Sequence, residues 1–566
     1  MKHETMTAVT IALIMATVSG CVTVKTESAR TSVLIQGEDV AALVNLVESV
    51  GGEVTHELPI IDAVAASLTP TQTALVASSP LSVRLEPNRQ AFIAQRRKQA
   101  RTSTLDSQAT ESADAPASLP QAYDASRIVS APRLHEQGIT GAGVTIAVLD
   151  TGIVNWRELA WNSSEARIKA TYDAKRNKEL RSSYSDDNGH GTHVTSIITN
   201  SVTSGDLNHG IAPSAALVVV DAFDADGRGS YADVIRGLDY VVANKDRYGI
   251  RVLNLSFSAP PRSHYWEDPL NLAVMRVWAS GIVVVASAGN GGPDAMTIGA
   301  PGNVPYVITV GAMTDSYTPT SRGDDRVATF SAAGPTAERF VKPEIVAPGG
   351  HITALMERKS ELATTHPEFH HSSKYFTMSG TSQAAAVVTG IVALMLEEEP
   401  ALTPDTVKCR LMAGAHPAVT ADGELAYSVF RQGAGLVNAY DAVSNSAAGC
   451  ANVGLDVHKD LAGEAHFAGP ARVDADGNFF VEGLTDSLWT GSFLWSNSFL
   501  WSNSMLWNDS FLWNNSFLWN NSFLWSNAEL SNDSFLWSNS FLWSNSFLWS
   551  NALSESIQSS TWVDQE

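Results

Sequence analysis

Residues 144–152 read Val144-Thr145-Ile146-Ala147-Val148-Leu149-Asp150-Thr151-Gly152. The first six are almost all apolar and do not alternate with polar residues. A strand with one wet face alternates, whereas a strand covered by helices on both faces does not. Four other runs share the property: ALVVVDAF (216–223), RVLNLSFS (251–258), IVVVASAG (282–289) and YVITVGA (306–312). Between and after them, HGTHVTSIITN (190–200), ADVIRGLDYVVANK (232–245) and SQAAAVVTGIVALMLEE (382–398) carry helical patterns. Buried strands interleaved with helices predict one large α/β domain over 121–446, a parallel sheet sandwiched by helices.

Three reactive residues stand where these elements end. Asp150 closes the strand of 144–150. His190 opens a helix after the turn in DDNGHGTHV (186–194), and Ser382 opens another in TMSGTSQAAA (377–386). Each has an ordinary explanation: a strand-ending turn, a metal-ligand pair with His193 at i, i+3, or an N-cap. In the order Asp, His, Ser on one domain they fit a nucleophile, its base and the group that orients the base.

These segments resemble the subtilisin-like serine peptidases, with AVLDTG, HGTHV and SGTSQAA as the three signature stretches. The chain order also matches, unlike that of chymotrypsin or the α/β-hydrolases. VLNLSFS (252–258) resembles the substrate-binding strand and VVVASAGNGGP (283–293) the oxyanion loop. KPEIVAPG (342–349) resembles the turn before the serine, and GAGLVNAYDAV (433–443) the usual domain end. The resemblance implies Asp150, His190 and Ser382 as catalytic residues. It implies Asn290 and the Ser382 N–H as oxyanion donors, and Ser256, Phe257, Ser258 and Gly289 as substrate-binding residues. His193 is then a packed helix residue. Departures are Gln383 where methionine is usual, Ser258 in place of a frequent glycine, narrowing the first pocket, and Gly291 for a frequently polar residue. GDLNHGIAP (205–213) is shorter than the calcium loop of the better-known secreted members. No cofactor and no catalytic metal are expected, and structural calcium has no clear motif.

Residues 31–95 read as strand, helix, two strands, helix and strand, a ferredoxin-like α+β unit. This resembles the family's inhibitor-like propeptide, whose C-terminal segment would lie in the cleft as a slow substrate; an unrelated α+β domain is the other reading. Residues 96–120 are polar and read as a linker, with the processing site expected near Arg96-Arg97-Lys98 or within 99–120. The N-terminus, residues 1–20, carries an apolar run over Thr7–Val18, too short to span a bilayer. It ends Val18-Ser19-Gly20-Cys21, resembling a bacterial lipobox; an ordinary signal peptide with an incidental cysteine also fits, and both mean export. The expectation is a lipidated precursor in a bacterial cell envelope and an extracellular or surface-associated mature form. Export permits a Cys409–Cys450 disulfide, and two buried thiols are the alternative.

The chain has 566 residues with 37 basic and 59 acidic side chains, a net charge of −22 that excludes a phosphate-binding surface and hence nucleic-acid partners. Residues 447–491 form a transition with a few further strands. From 492 to 551 the sequence is hexamers of Ser-Phe-Leu-Trp-Ser-Asn type, with AELSND (528–533) the strongest departure, before a polar tail at 552–566. In a helix each Trp would advance about 240° per repeat, whereas in a strand Phe and Trp share a face. As one strand the segment would exceed roughly 190 Å, so it turns. A β-solenoid and a self-associating low-complexity segment are both compatible. Two functions follow. One is a secreted serine endopeptidase made as a zymogen, acting on polypeptides and inhibited by its own propeptide. The other is a surface binding or assembly protein, joined to envelope, glycan or its own copies through 492–551, with the peptidase fold as scaffold.

Overall fold

The computed structural model describes residues 29–93, 120–162, 165–180, 185–371, 374–421, 423–481 and 505–506. The signal region with Cys21, nearly all of the linker, and the repeat apart from Met505–Leu506 lie outside them.

The N-terminal unit contains β1 (Thr31–Gln36), α1 (Val40–Ser49), β2 (Glu53–Leu58), β3 (Ala63–Leu68), α2 (Pro70–Ala77) and β4 (Arg84–Pro87). Its sheet has the order β2-β3-β1-β4, with every pairing antiparallel. Both helices start at side-chain caps: Asp39 accepts from the Ala41 N–H, and Thr69 and Gln72 form a reciprocal capping box. Alternation along the strands divides the two faces. Ile35, Val64 and Ala66 pack with Leu43 and Val47 of α1, whereas Leu34, Ala63 and Ala65 join the core of the large domain. A fifth strand, β5 (Gln90–Ile93), leaves this unit altogether and enters the large domain.

That domain is built on β6 (Thr145–Asp150), β7 (Ile168–Asp173), β8 (Lys178–Leu180), α3 (His190–Thr199), β9 (Ala216–Asp221), β10 (Arg228–Ser230), α4 (Tyr231–Ala243), β11 (Ile250–Leu255), β12 (Phe257–Ser258), α5 (Pro269–Ala279), β13 (Val283–Ser287), β14 (Ile308–Thr314), β15 (Arg326–Val327), β16 (Ile345–Pro348) and α6 (Thr381–Glu398). Nine strands form one sheet in the order β8-β7-β9-β6-β11-β13-β14-β15, with β16 also on β14. Only the β8–β7 and β14–β15 pairings are antiparallel. β6, β13 and β14 are buried at every position. The N-terminal sheet lies over α4 and α5.

Helix α7 (Pro404–Ala413) bears Cys409, which is bonded to Cys450 with the Cα atoms 5.2 Å apart. The segment beyond it is held by polar contacts. Asp460 accepts from the hydroxyls of Tyr265 (2.6 Å) and Tyr306 (2.9 Å), and Trp266 is stacked between His264 and His466. A hairpin of Ala471–Val473 and Phe479–Val481 follows, and Met505–Leu506 pairs with Phe467–Ala468.

Candidate active site

Asp150 stands at the C-terminal end of β6, where open α/β sheets place their ligands. Its Oδ1 accepts from the Thr151 N–H (2.8 Å) and lies 2.7 Å from His190 Nδ1. A carboxylate only accepts, so Nδ1 carries the proton and Nε2 is the basic nitrogen. Both side chains are buried, and Nε2 has no hydrogen-bond partner among the described residues.

The turn that presents His190 is held by Asp186. Its Oδ1 accepts from the Gly189 N–H (2.7 Å) and the Thr151 hydroxyl (2.8 Å), and its Oδ2 from the Thr192 N–H (2.6 Å). One buried carboxylate thus joins the strand end, the turn and the first turn of α3. Burial pushes its pKa up, and these hydrogen bonds pull against that shift. Thr151 Oγ1 also accepts from the Gly191 N–H (2.8 Å). Gly191 is required by this approach, because a Cβ there would lie 2.3 Å from the Gly152 carbonyl oxygen. Asp186 is not among the residues singled out from the sequence, where its signal is a carboxylate four residues before the histidine in DDNGH.

Ser382 lies in the first turn of α6, which packs against α3. Its Oγ donates to the Ser256 carbonyl (3.0 Å), and Ser256 Oγ donates to the Ser382 carbonyl (3.1 Å). A further bond, from Thr389 Oγ1 to Asn254 Oδ1 (2.8 Å), fastens α6 to β11. Asn290, on the loop after β13, accepts through Oδ1 from the Thr381 N–H (2.9 Å) and hydroxyl (2.8 Å). The same hydroxyl accepts from the Gly289 N–H (3.2 Å). His193 is fully buried, 3.1 Å through Nε2 from the Phe376 carbonyl and 3.4 Å through Nδ1 from Gln383 Nε2. Burial lowers its pKa to about 3, so it is a neutral packed residue.

Phe257 and Ser258 form the edge against which β5 pairs, Ser256 precedes them, and Gly289 lies across from Ser258. The structure therefore gathers a carboxylate, an imidazole, a serine hydroxyl and an asparagine amide at one end of the sheet, beside a strand already seated in the groove. Among the described residues no group of three His, Cys, Asp or Glu side chains is placed to hold a metal ion, and no helix is long and apolar enough to cross a membrane.

The model of the subtilase family, peptidase S8, matches residues 141–435, more than half of the chain. The chain belongs to the subtilase family. It is a subtilisin-like serine endopeptidase by that membership. The subtilase is 40% identical over 313 residues to serine protease AprX of Bacillus subtilis strain 168, covering 54% of this chain and 67% of AprX. It is 32% identical over 292 residues to subtilisin E of the same strain, covering 51% of this chain and 64% of subtilisin E. Against subtilisin of Bacillus pumilus it is 32% identical over 315 residues, 94% of that protein. In fold it is similar to fervidolysin from Fervidobacterium pennivorans, a keratinolytic enzyme related to subtilisin, with a TM-score of 0.55, 23% identity, and coverage of 75% of this chain and 62% of that one. The subtilase thus spans about two thirds of the length of AprX, subtilisin E and fervidolysin.

Proposed function

We propose that the chain hydrolyses peptide bonds through an acyl-enzyme on Ser382. His190 Nε2 takes the hydroxyl proton as Ser382 Oγ attacks the substrate carbonyl carbon, and returns it to the leaving amine. Asp150 holds the imidazole in the tautomer that leaves Nε2 basic and stabilises the imidazolium. The amide of Asn290 and the backbone N–H of Ser382 hold the oxyanion. Water, deprotonated by His190, then releases the acyl group as a carboxylate. The observation that carries this reading is the 2.7 Å bond between Asp150 Oδ1 and His190 Nδ1, which leaves the proton on Nδ1 and the basic lone pair on Nε2, a nitrogen with no partner among the described residues.

The N-terminal unit acts as the inhibitor of the same active site, and the molecule is a zymogen. The support is β5, the strand that continues the chain out of that unit and is hydrogen-bonded on both sides to the large domain. Arg89 beside it pairs with the buried Asp268 (3.2 Å), and His56 of β2 with Asp233 of α4 (3.0 Å). Export follows from the N-terminal apolar run, and a cut between unit and peptidase would separate the latter from a lipid on Cys21. The test is Ser382→Ala. It should abolish hydrolysis of an unfolded polypeptide and leave the precursor uncut, with the thermal midpoint preserved. Asp150→Ala and His190→Ala should each cost at least about 10⁴-fold. Hydrolysis surviving in Ser382→Ala would reject the assignment.

A further inference from the structure

Arg89 continues the pairing of β5 past the end of the strand. Gln90, Ala91 and Phe92 lie opposite Ser230, Gly229 and Arg228, and Phe92 and Ile93 opposite Ser258 and Phe257. One step further, the Tyr231 N–H donates to the Arg89 carbonyl (2.8 Å). The ladder is held by backbone groups, which any extended polypeptide offers. Across Arg89-Gln90-Ala91-Phe92-Ile93 the arginine is the one charged side chain.

That charge meets a prepared partner. Arg89 Nη1 donates to Asp268 Oδ2 (3.2 Å), and its guanidinium carbon lies 6.0 Å from the centre of the Tyr231 ring. The Tyr231 hydroxyl donates to the same oxygen (3.4 Å). Asp268 Oδ1 is turned the other way, accepting from the Leu270 N–H (2.9 Å) and the Asn271 N–H (3.4 Å) at the start of α5. Asp268 is 1% exposed. Burial pushes its pKa up, and Arg89 is the strongest influence pulling it down. Glu86, which accepts from Arg89 Nη2 (3.1 Å), belongs to the N-terminal unit, whereas Asp268, Tyr231 and both strand edges belong to the large domain.

We propose, resting on the peptidase reading above, that Asp268 and Tyr231 form a subsite for a guanidinium group of the substrate. The preferred polypeptide is an extended segment with arginine four residues before the residue that faces Phe257. Ser256, whose carbonyl accepts from Ser382 Oγ, precedes Phe257. The subsite therefore lies at the end of the groove away from the nucleophile, roughly 13 Å beyond the residue facing Phe257. Asp268 Oδ2 loses its cation when Arg89 leaves, and a buried carboxylate without one is costly. A substrate arginine restores the pair, and an acidic residue in its place is repelled. Arg262 limits the size of the effect. Burial lowers its pKa, Arg89 pushes the same way, and Tyr231 and Asp268 oppose both. This neighbouring cation partly balances the vacant carboxylate, so the subsite biases the choice of substrate and does not decide it alone.

The experiment compares two end-blocked hexapeptides as inhibitors of the mature enzyme acting on an unfolded polypeptide. One is Asn-Arg-Gln-Ala-Phe-Ile, the sequence of residues 88–93, and the other has glutamine in place of the arginine. The inhibition constant of the arginine peptide should be at least about tenfold lower. In Asp268→Asn, which keeps a helix-capping side chain and loses the charge, the ratio should fall to within about twofold. Both peptides are read on the same protein, so a partial loss of stability cancels. Arg262→Gln removes the competing cation and should raise the ratio, which keeps the test decisive if Asp268→Asn does not fold. A wild-type ratio within about twofold overturns the subsite and leaves the peptidase reading standing, and so does a tenfold ratio that persists in Asp268→Asn. Absence of hydrolysis strikes the peptidase reading itself, and fluorescence anisotropy of the two labelled peptides then decides the subsite.

Discussion

Asn290 Oδ1 accepts both hydrogen bonds that Thr381 can offer, from the backbone N–H at 2.9 Å and from the hydroxyl at 2.8 Å. The amide oxygen is thereby held towards the start of α6, and in the proposed mechanism the NH₂ group serves the substrate oxygen. Thr381 immediately precedes Ser382, so the residues proposed as oxyanion donor and nucleophile are joined through one turn of helix. Asn290→Ala should lower kcat about 10²–10³-fold, a range drawn from this same family. Thr381→Val, which keeps the shape and removes the hydroxyl, should lower kcat roughly fivefold with KM little changed, in line with ~1 kcal/mol for one hydrogen bond. Thr381→Ser should restore it. Steady-state kinetics on the mature enzyme make the comparison.

Asp186 touches no reacting atom in this account and acts by positioning His190. Asp186→Asn keeps the volume but sets an NH₂ group against buried N–H donors. It should reduce kcat roughly ten- to a hundredfold through misplacement of the imidazole, with KM unchanged. The unfolding free energy should fall by about 1–3 kcal/mol for a buried donor left unpaired. A variant that unfolds more easily yet keeps full kcat would show that Asp186 serves stability alone.

His193 gives the domain an acid sensitivity separate from catalysis. Its pKa is about 3 in the folded protein against 6.5 for the free side chain. Between those values the unfolded chain binds the proton and the folded chain does not, so this contribution to stability falls as pH drops through the window. The slope is at most ~1.4 kcal/mol per pH unit. Replacing His193 with leucine should remove that component, and the stability difference between wild type and variant, measured by denaturant titration from pH 7 to pH 4, should shrink as pH falls. A pH-independent difference would show that His193 does not titrate in this way.

The Cys409–Cys450 bond closes a separation of 41 residues. Chain-entropy arguments give about 4 kcal/mol for a loop of that length. Cys409→Ala with Cys450→Ala should lower the unfolding free energy by an amount of that order while leaving kcat unaltered, because neither residue approaches the catalytic groups.

The sheet was legible because its strands are buried on both faces. VTIAVLD and IVVVASAG lack polar alternation, and short apolar runs between helical patterns leave few alternatives. Asp150, His190 and Ser382 were legible because each stands at the end of such an element, and Asn290 because AGN follows one. β5 was not legible as a strand. NRQAFIAQ carries only a brief apolar run, and its partners at 228–230 and 257–258 come from distant parts of the chain. Asp186 reads as one more turn residue in DDNG until Gly189, Thr192 and Thr151 converge on it. The Cys409–Cys450 bond stayed open in the sequence for the same reason: only the packing of α7 against the segment near 450 brings the two Cα atoms to 5.2 Å.

In the proposed mechanism everything rests on Ser382 as the nucleophile activated by His190. Labelling of the mature protein with a fluorophosphonate, followed by peptide mass mapping, tests it most directly. One adduct is expected, on Ser382, lost in His190→Ala and unaffected by a chelator. An unlabelled protein that still hydrolyses peptides, or an adduct on another serine, would contradict it.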